Sequence, residues 1–116
     1  MTEKKVEGFY QDKSFDQLEK SLGLSFQDKS SLIQAFIHRS FLNEHPDSPL
    51  ENNERLEFLG DAVLELLVTE YLFHHYQNSE GELTRWRAAL VNTKTLSAVA
   101  EQFNLSRYLF LSRGEG

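Results

Sequence analysis

The sequence of 116 residues contains no cysteine, which excludes disulfide bonds and thiolate metal sites. Only two prolines occur, Pro46 and Pro49, and both lie in the stretch 43–50 that we predict to be a loop, so helices are free to form elsewhere. No run of residues approaches the roughly 18 apolar positions of a membrane span. The N-terminal residues 1–12 are polar and lack the apolar segment of a secretory signal. We therefore expect a cytoplasmic protein without a membrane contact.

Apolar residues recur at helical spacing along the chain, and this periodicity predicts an all-α fold. We expect an N-terminal tail at 1–13 and one domain at 14–116. The final apolar stretch, 108–111, fits a short strand, a helical turn or a docked tail. The predicted helices are 15–22, ended by Gly23; a segment capped by Asp28 that runs to His38–Arg39–Ser40; 53–76; 83–90; and 96–103, with Thr93 as a possible cap before it.

A stripe of acidic side chains marks the long predicted helix. At about 100° per residue, Glu54, Glu57, Asp61 and Glu65 fall on one face, within roughly a quarter turn. Like charges on adjacent turns repel each other, and no lysine lies between them. A bound divalent cation would remove the repulsion, and Mg²⁺ prefers oxygen ligands of this kind. The alternative interpretation is the ordinary solvated face of an amphipathic helix.

Two other residues of this helix are unusual for their positions. Phe58 falls about 40° from Glu54, beside the acids, and a large aromatic there indicates a contact with a second chain. Gly60 lies on another face, where glycine costs about 1 kcal/mol, so we expect a neighbouring backbone to pack closely against it. Four residues near the end of the helix and the only tryptophan are predicted to be core: Tyr71, Leu72, Phe73, Tyr76 and Trp86.

The order of residues 53–64, Asn-Glu-Arg-Leu-Glu-Phe-Leu-Gly-Asp-Ala-Val-Leu, resembles the signature helix of ribonuclease III. The stretch 26–44, with its His-Arg-Ser, and the stretch 80–92, with its Glu-Gly and Arg-Ala-Ala-Leu-Val, are also similar to that family. The resemblance covers about residues 14–116. It implies the helical fold of the ribonuclease III endonuclease domain, incomplete at its C-terminus.

The resemblance implies a homodimeric endonuclease that cuts double-stranded RNA with Mg²⁺, or with Mn²⁺, in the processing of ribosomal and messenger RNA precursors. Glu57 and Asp61 match metal-binding carboxylates, and Glu54 matches a further catalytic acid. Glu80 matches a residue of the acidic valley, and Phe58 matches the aromatic that inserts into the partner subunit. The candidate RNA contacts are His38, Arg39, Arg85 and Arg87.

Some of these roles have equally simple alternatives. His38 and Arg39 also suit a capping network at a helix end. The net charge of −6 argues weakly against a nucleic-acid partner. Residues 82–116, however, carry five Lys or Arg and three acids, which fits either a phosphate contact or ordinary scatter of charge.

The sequence departs from the family pattern after Asp61. The family has a second acidic motif, an Asp and a Glu three residues apart, but this chain has no Asp beyond Asp61 and no double-stranded-RNA-binding domain. We therefore expect weak metal binding, little or no cleavage by these residues alone, and a partly open structure with exposed apolar surface. The alternative function is a catalytically inactive ribonuclease-III-like module that dimerises or binds structured RNA.

Overall fold

The computed structural model describes residues 8–10 and 13–114, and it confirms the predicted all-α class. Within these residues the only β-type pairing is one parallel bridge between Ile37 and Phe110. The helices, numbered in chain order, are α1 (Phe15–Leu22), α2 (Lys29–Gln34), α3 (Arg39–Glu44), α4 (Glu54–His75), α5 (Glu80–Leu90) and α6 (Thr93–Gln102), followed by a 3-10 helix (Leu105–Tyr108).

The segment between α2 and α3 corrects one prediction. The helix that begins after Asp28 ends at Gln34, and a separate helix begins at Arg39. His38 is extended and caps α3, because its Nδ1 accepts the backbone N–H of Ser40 at 3.1 Å. The backbone of residues 36–38 bonds to distant parts of the chain instead of continuing the helix, and this competition ends α2 early.

The bounds of the later helices follow from their caps. Helix α4 agrees with the predicted range 53–76 to within one residue at each end. Helix α5 begins at Glu80, earlier than the predicted Leu83, because the Ser79 hydroxyl accepts the N–H of Glu82 at 3.3 Å. Asn92, not the predicted Thr93, caps α6 by accepting the N–H of Thr95 at 2.9 Å.

A small, largely aromatic core lies between α1, α2, α3 and the C-terminal segment. Phe110 is 4% exposed, and its ring lies 5.1 Å from that of Tyr10 and 5.2 Å from that of Phe41. The last apolar stretch is therefore a docked tail. Tyr10 belongs to this core although it falls in the stretch predicted as an N-terminal tail. The core members are Tyr10, Phe15, Leu18, Leu32, Ile33, Ile37, Phe41, Tyr108 and Phe110.

Helix α4 is apolar on most sides, yet Leu72 is its only buried residue. The prediction of a core position was therefore right for Leu72 and wrong for Tyr71, Phe73 and Tyr76, which are exposed. Trp86 is also partly exposed and makes an edge-on contact with Tyr76 at 5.1 Å. The Cα radius of gyration is 16.8 Å, whereas a compact domain of about 100 residues has about 13 Å. The structure is thus open, as expected.

The predicted close packing at Gly60 is not present among the described residues. A Cβ atom built at Gly60 would have no neighbour within 4 Å. The described part of the chain also has no helix that is both long and apolar enough to cross a bilayer.

Candidate active site

The first turn of α4 is fixed to the connection between α2 and α3. The Asn53 N–H donates to the carbonyl of Ile37 at 2.9 Å, and the Asn53 side chain donates to the carbonyl of Ala35 at 2.8 Å. Asn52 accepts the N–H of Glu54 at 3.0 Å through its side-chain oxygen. The start of α4 is therefore held by hydrogen bonds to the segment that carries the core residue Ile37.

Glu57 and Asp61 lie on consecutive turns just beyond this point. Their Cβ atoms are neighbours at roughly 5–6 Å, because residues four apart on a helix share a face. Both side chains are exposed to solvent. Glu54 and Glu57 stand in the first turn, where the helix dipole favours a negative charge, but Asp61 lies too far along for that effect to explain it.

Two arginines predicted as RNA contacts form ion pairs with acids of α4. Arg39 lies 3.8 Å from Glu54, and both side chains are more than half exposed, so this pair contributes little to stability. Arg87 lies 3.6 Å from Glu65 and donates to the Thr69 hydroxyl at 3.0 Å. Arg87 thus connects α5 to α4, and its role toward RNA stays a prediction.

The other two candidate RNA contacts, His38 and Arg85, differ in how many hydrogen bonds they make within the chain. The His38 Nδ1 lies 2.7 Å from the Ser40 hydroxyl, in addition to accepting the Ser40 N–H, so one edge of this ring is occupied by capping. This cap starts a helix, whereas the capping alternative placed His38 at a helix end. Arg85 is exposed on α5. Of the four candidate RNA contacts, Arg85 therefore has the fewest hydrogen bonds and ion pairs with other described residues.

Glu80 lies apart from the acidic stripe. It is exposed in the first turn of α5 and lines a cleft of about 610 Å³ between α4 and α5, with Leu72, Tyr76 and Leu83 among its walls. The cleft that Glu80 lines lies at the C-terminal end of α4. Asp61 is about 20 Å from that end along the helix axis. A common acidic valley that includes Glu80 stays a prediction.

Phe58 is the most exposed large apolar side chain of the described residues, at 82%. It projects beside the carboxylates, as its place in the helical pattern predicts. The contact with a partner subunit is not tested by a single chain and stays a prediction.

The donor set at Glu57 and Asp61 fits a hard divalent cation in part. Mg²⁺ is commonly held by one or two carboxylates, with water completing an octahedron. In the described ranges, however, no three His, Asp or Glu side chains are grouped so that they could hold a metal ion. Glu57 and Asp61 would therefore supply two protein ligands of such a site, with no third grouped beside them in the described ranges.

Sequence reasoning placed Glu57 and Asp61 on one face of the helix but did not indicate the residues that anchor the start of that helix. Asn53 reads as an ordinary helix cap, and Ala35 and Ile37 contribute only backbone carbonyls, which no side-chain pattern can reveal. The adjacent asparagines at 52 and 53 were the only visible signal. Their separate tasks depend on contacts across 18 residues of sequence.

Both the sequence and the all-α fold of this chain are similar to those of known proteins. A family model described as Ribonuclease-III-like matches residues 28–116. The nuclease domain of ribonuclease III from Campylobacter jejuni superposes with a TM-score of 0.78 at 47% identity, covering 88% of this chain and 68% of that one. That structure is described as showing flexibility in a region involved in dimer formation.

Curated relatives agree with the structural match. Ribonuclease 3 of Roseiflexus sp. (strain RS-1) is 48% identical over 106 residues, which is 89% of this chain and 45% of that protein. Ribonuclease 3 of Bacillus cereus (strain AH187) is 48% identical over 114 residues, which is 97% of this chain and 46% of that protein. The chain belongs to the ribonuclease-III-like family. It spans a little under half the length of these relatives.

Proposed function

We propose that this chain provides the metal-binding first part of the active site of a double-stranded-RNA endoribonuclease. The observation that carries the proposal is the exposed pair Glu57 and Asp61 on consecutive turns of α4. Family membership supports the same assignment, because the curated relatives are ribonucleases. A solvated face alone would not require four acids on one side of the helix without an intervening lysine.

The chemistry follows from these residues and their neighbours. Glu57 and Asp61 would hold Mg²⁺, or Mn²⁺, which when bound activates water for attack on phosphorus and stabilises the leaving oxygen. Glu54 is the third acid of the site, and its carboxylate lies 3.8 Å from the Arg39 guanidinium at the start of the helix. Arg39 and Arg85 are exposed and suited to phosphate contacts, which position a duplex without reading its sequence.

The proposed active form is a symmetric homodimer with one site for each RNA strand. Phe58 is the proposed partner contact, and Glu80 the proposed additional acid of the valley. The substrates are duplex regions of ribosomal and messenger RNA precursors, and a cytoplasmic location follows from that choice of substrate. His38 and Arg87 are further RNA contacts in this proposal, each shared with its structural role within the chain.

A second function is favoured by one observation, the lack of a three-ligand metal group among the described residues. A module that dimerises or binds structured RNA without cutting it needs no complete site. Such a module, however, has no use for a matched pair of carboxylates. We therefore propose the nuclease function first.

A chimera separates the two functions. This chain replaces the 114 matched residues of the Bacillus cereus relative, so that the rest of that protein completes the domain. We expect Mg²⁺-dependent cleavage of a radiolabelled RNA duplex and no cleavage of the single strand of the same sequence. A chimera that folds, forms a dimer and binds the duplex but leaves it intact would favour the non-catalytic module.

A further inference from the structure

We propose that Asn53 is a positioning residue for the metal-binding carboxylate of Glu57, an inference that rests on the proposed function. Asparagine is among the preferred N-cap residues, whose side-chain oxygen accepts a backbone N–H of the first turn. Asn53 occupies the N-cap position of α4, yet its side chain makes no capping bond. Its amide is used for a contact with another part of the chain.

The direction of that contact is fixed by its chemistry. The Asn53 side chain lies 2.8 Å from the carbonyl oxygen of Ala35. A carbonyl only accepts, so the atom that faces it is the amide nitrogen, which donates. The neighbouring Asn52 takes over the capping role, because its side-chain oxygen accepts the N–H of Glu54 at 3.0 Å. The two asparagines therefore perform opposite tasks, one as a donor and one as an acceptor.

Asn53 connects Glu57 directly to the core. Its own carbonyl accepts the N–H of Glu57 at 2.8 Å, the hydrogen bond that fixes the helical position of Glu57. Its N–H donates to Ile37, which is fully buried. The residue before Ile37 is bonded to the C-terminal segment, because Phe110 donates its N–H to the carbonyl of Phe36 at 2.8 Å. One continuous set of bonds thus runs from the docked tail to the carboxylate-bearing turn.

Among the described residues, one further hydrogen bond at this joint runs from the Gln34 side chain to the Asn52 carbonyl at 3.2 Å, and it does not involve Asn53 or Glu57. Glu54, Glu57 and Phe58 are exposed, and the nearest ion pair, from Arg39 to Glu54, is more than half exposed. A cavity of about 270 Å³ lies at the joint and is lined by Ala35, Asn53, Leu56 and Glu57. The Glu57 carboxylate, beside this cavity, keeps its position only if the backbone of its turn is fixed. Substituting a residue that orients a metal ligand commonly lowers the metal affinity by about tenfold or more.

The substitution Asn53→Asp separates this role from ordinary capping. Aspartate is as good an N-cap as asparagine and suits the positive end of the helix dipole, so a capping role predicts no loss. The positioning role predicts a loss, because a carboxylate cannot donate and would face the Ala35 carbonyl. The matched control is Asn52→Asp, which adds the same charge one residue away and keeps the acceptor for the Glu54 N–H.

Two readouts are measured on the full chain. The first is the affinity for Mn²⁺, from the broadening of the Glu57 and Asp61 amide signals in an NMR titration. The second is hydrogen exchange of the Glu57 amide. We expect Asn53→Asp to weaken Mn²⁺ binding on the order of tenfold and to speed exchange at Glu57, while Asn52→Asp behaves as the unsubstituted chain. Unchanged signals of Leu18 and Phe110 show that the core is intact; if they change, Asn53→Gly, which removes the side-chain donor at little capping cost, replaces Asn53→Asp.

The outcomes are distinct. Equal Mn²⁺ affinity and equal exchange for Asn53→Asp and Asn52→Asp would overturn the positioning role and leave the proposed function standing. Absence of Mn²⁺ binding at Glu57 and Asp61 in the unsubstituted chain would overturn the proposed function and the positioning role with it. A loss confined to the Asn53 variants supports the proposal.

Discussion

Replacing both Glu57 and Asp61 with alanine in the Bacillus cereus chimera is expected to reduce duplex RNA cleavage by roughly 1,000-fold. The metal ion contributes several kcal/mol of transition-state stabilisation in reactions of this kind, and about 4 kcal/mol corresponds to three powers of ten in rate. The measurement is the single-turnover rate at saturating Mg²⁺. Binding of the duplex to the variant is expected to persist, because phosphate contacts dominate affinity.

The matched control removes two negative charges elsewhere. Glu70 lies on the opposite face of α4, about 160° from Glu54 by helical geometry, and Glu101 is exposed on α6. Alanine at both positions is expected to leave the rate unchanged. Equal losses in the two double variants would mean that net charge, rather than a metal site at Glu57 and Asp61, governs cleavage.

Substituting Phe58 with alanine is expected to weaken the proposed self-association of the chain by roughly thirtyfold. A central aromatic of an interface commonly contributes about 2 kcal/mol when truncated, and each 1.4 kcal/mol changes a dissociation constant tenfold. Phe58 is 82% exposed, so its removal costs little within one chain. Sedimentation equilibrium over a range of concentrations measures the change.

The control for Phe58 is another exposed phenylalanine of the same helix. Phe73 is 71% exposed on α4 and lies slightly more than about four turns away. If association is specific to the proposed interface, Phe73→Ala leaves the dissociation constant nearly unchanged. Equal weakening by both substitutions would show that association is general adhesion of apolar surface, and would remove Phe58 as the partner contact.

Elements set by local chemistry were predictable from the sequence. Helix α1 spans the predicted range 15–22 and ends before Gly23, whose φ of 69° suits glycine. The Asp28 cap and the range of α4 also follow from neighbouring residues. The acidic stripe belongs to this class, because helical spacing alone puts Glu57 and Asp61 on one face.

Features that depend on distant contacts were not predictable. The break between α2 and α3 arises because Phe36, Ile37 and His38 bond to Asn53 and Phe110, and residues 32–40 read as one helix without those partners. The different tasks of Asn52 and Asn53 have the same origin. Both residues have the same side chain, and only the position of the Ala35 carbonyl separates a donor from an acceptor.

The exposure of α4 shows a third limit. The apolar surface of a helix normally packs against a core, and the sequence therefore placed Tyr71, Phe73 and Tyr76 in the core. In the described chain these side chains face solvent, although the helix itself forms as predicted. Periodicity identifies an apolar face but does not identify what covers it.

The position of a bound ion on the chain tests the central claim most directly. Mn²⁺ broadens the NMR signals of nuclei near it, and a chain of 13.5 kDa allows each amide to be followed. The account predicts that broadening at low Mn²⁺ begins at Glu57 and Asp61, extends to Glu54, and is competed by Mg²⁺. Broadening that begins at Glu80 and Glu82, or that spreads evenly over all exposed acids, would contradict a metal site on the first turns of α4.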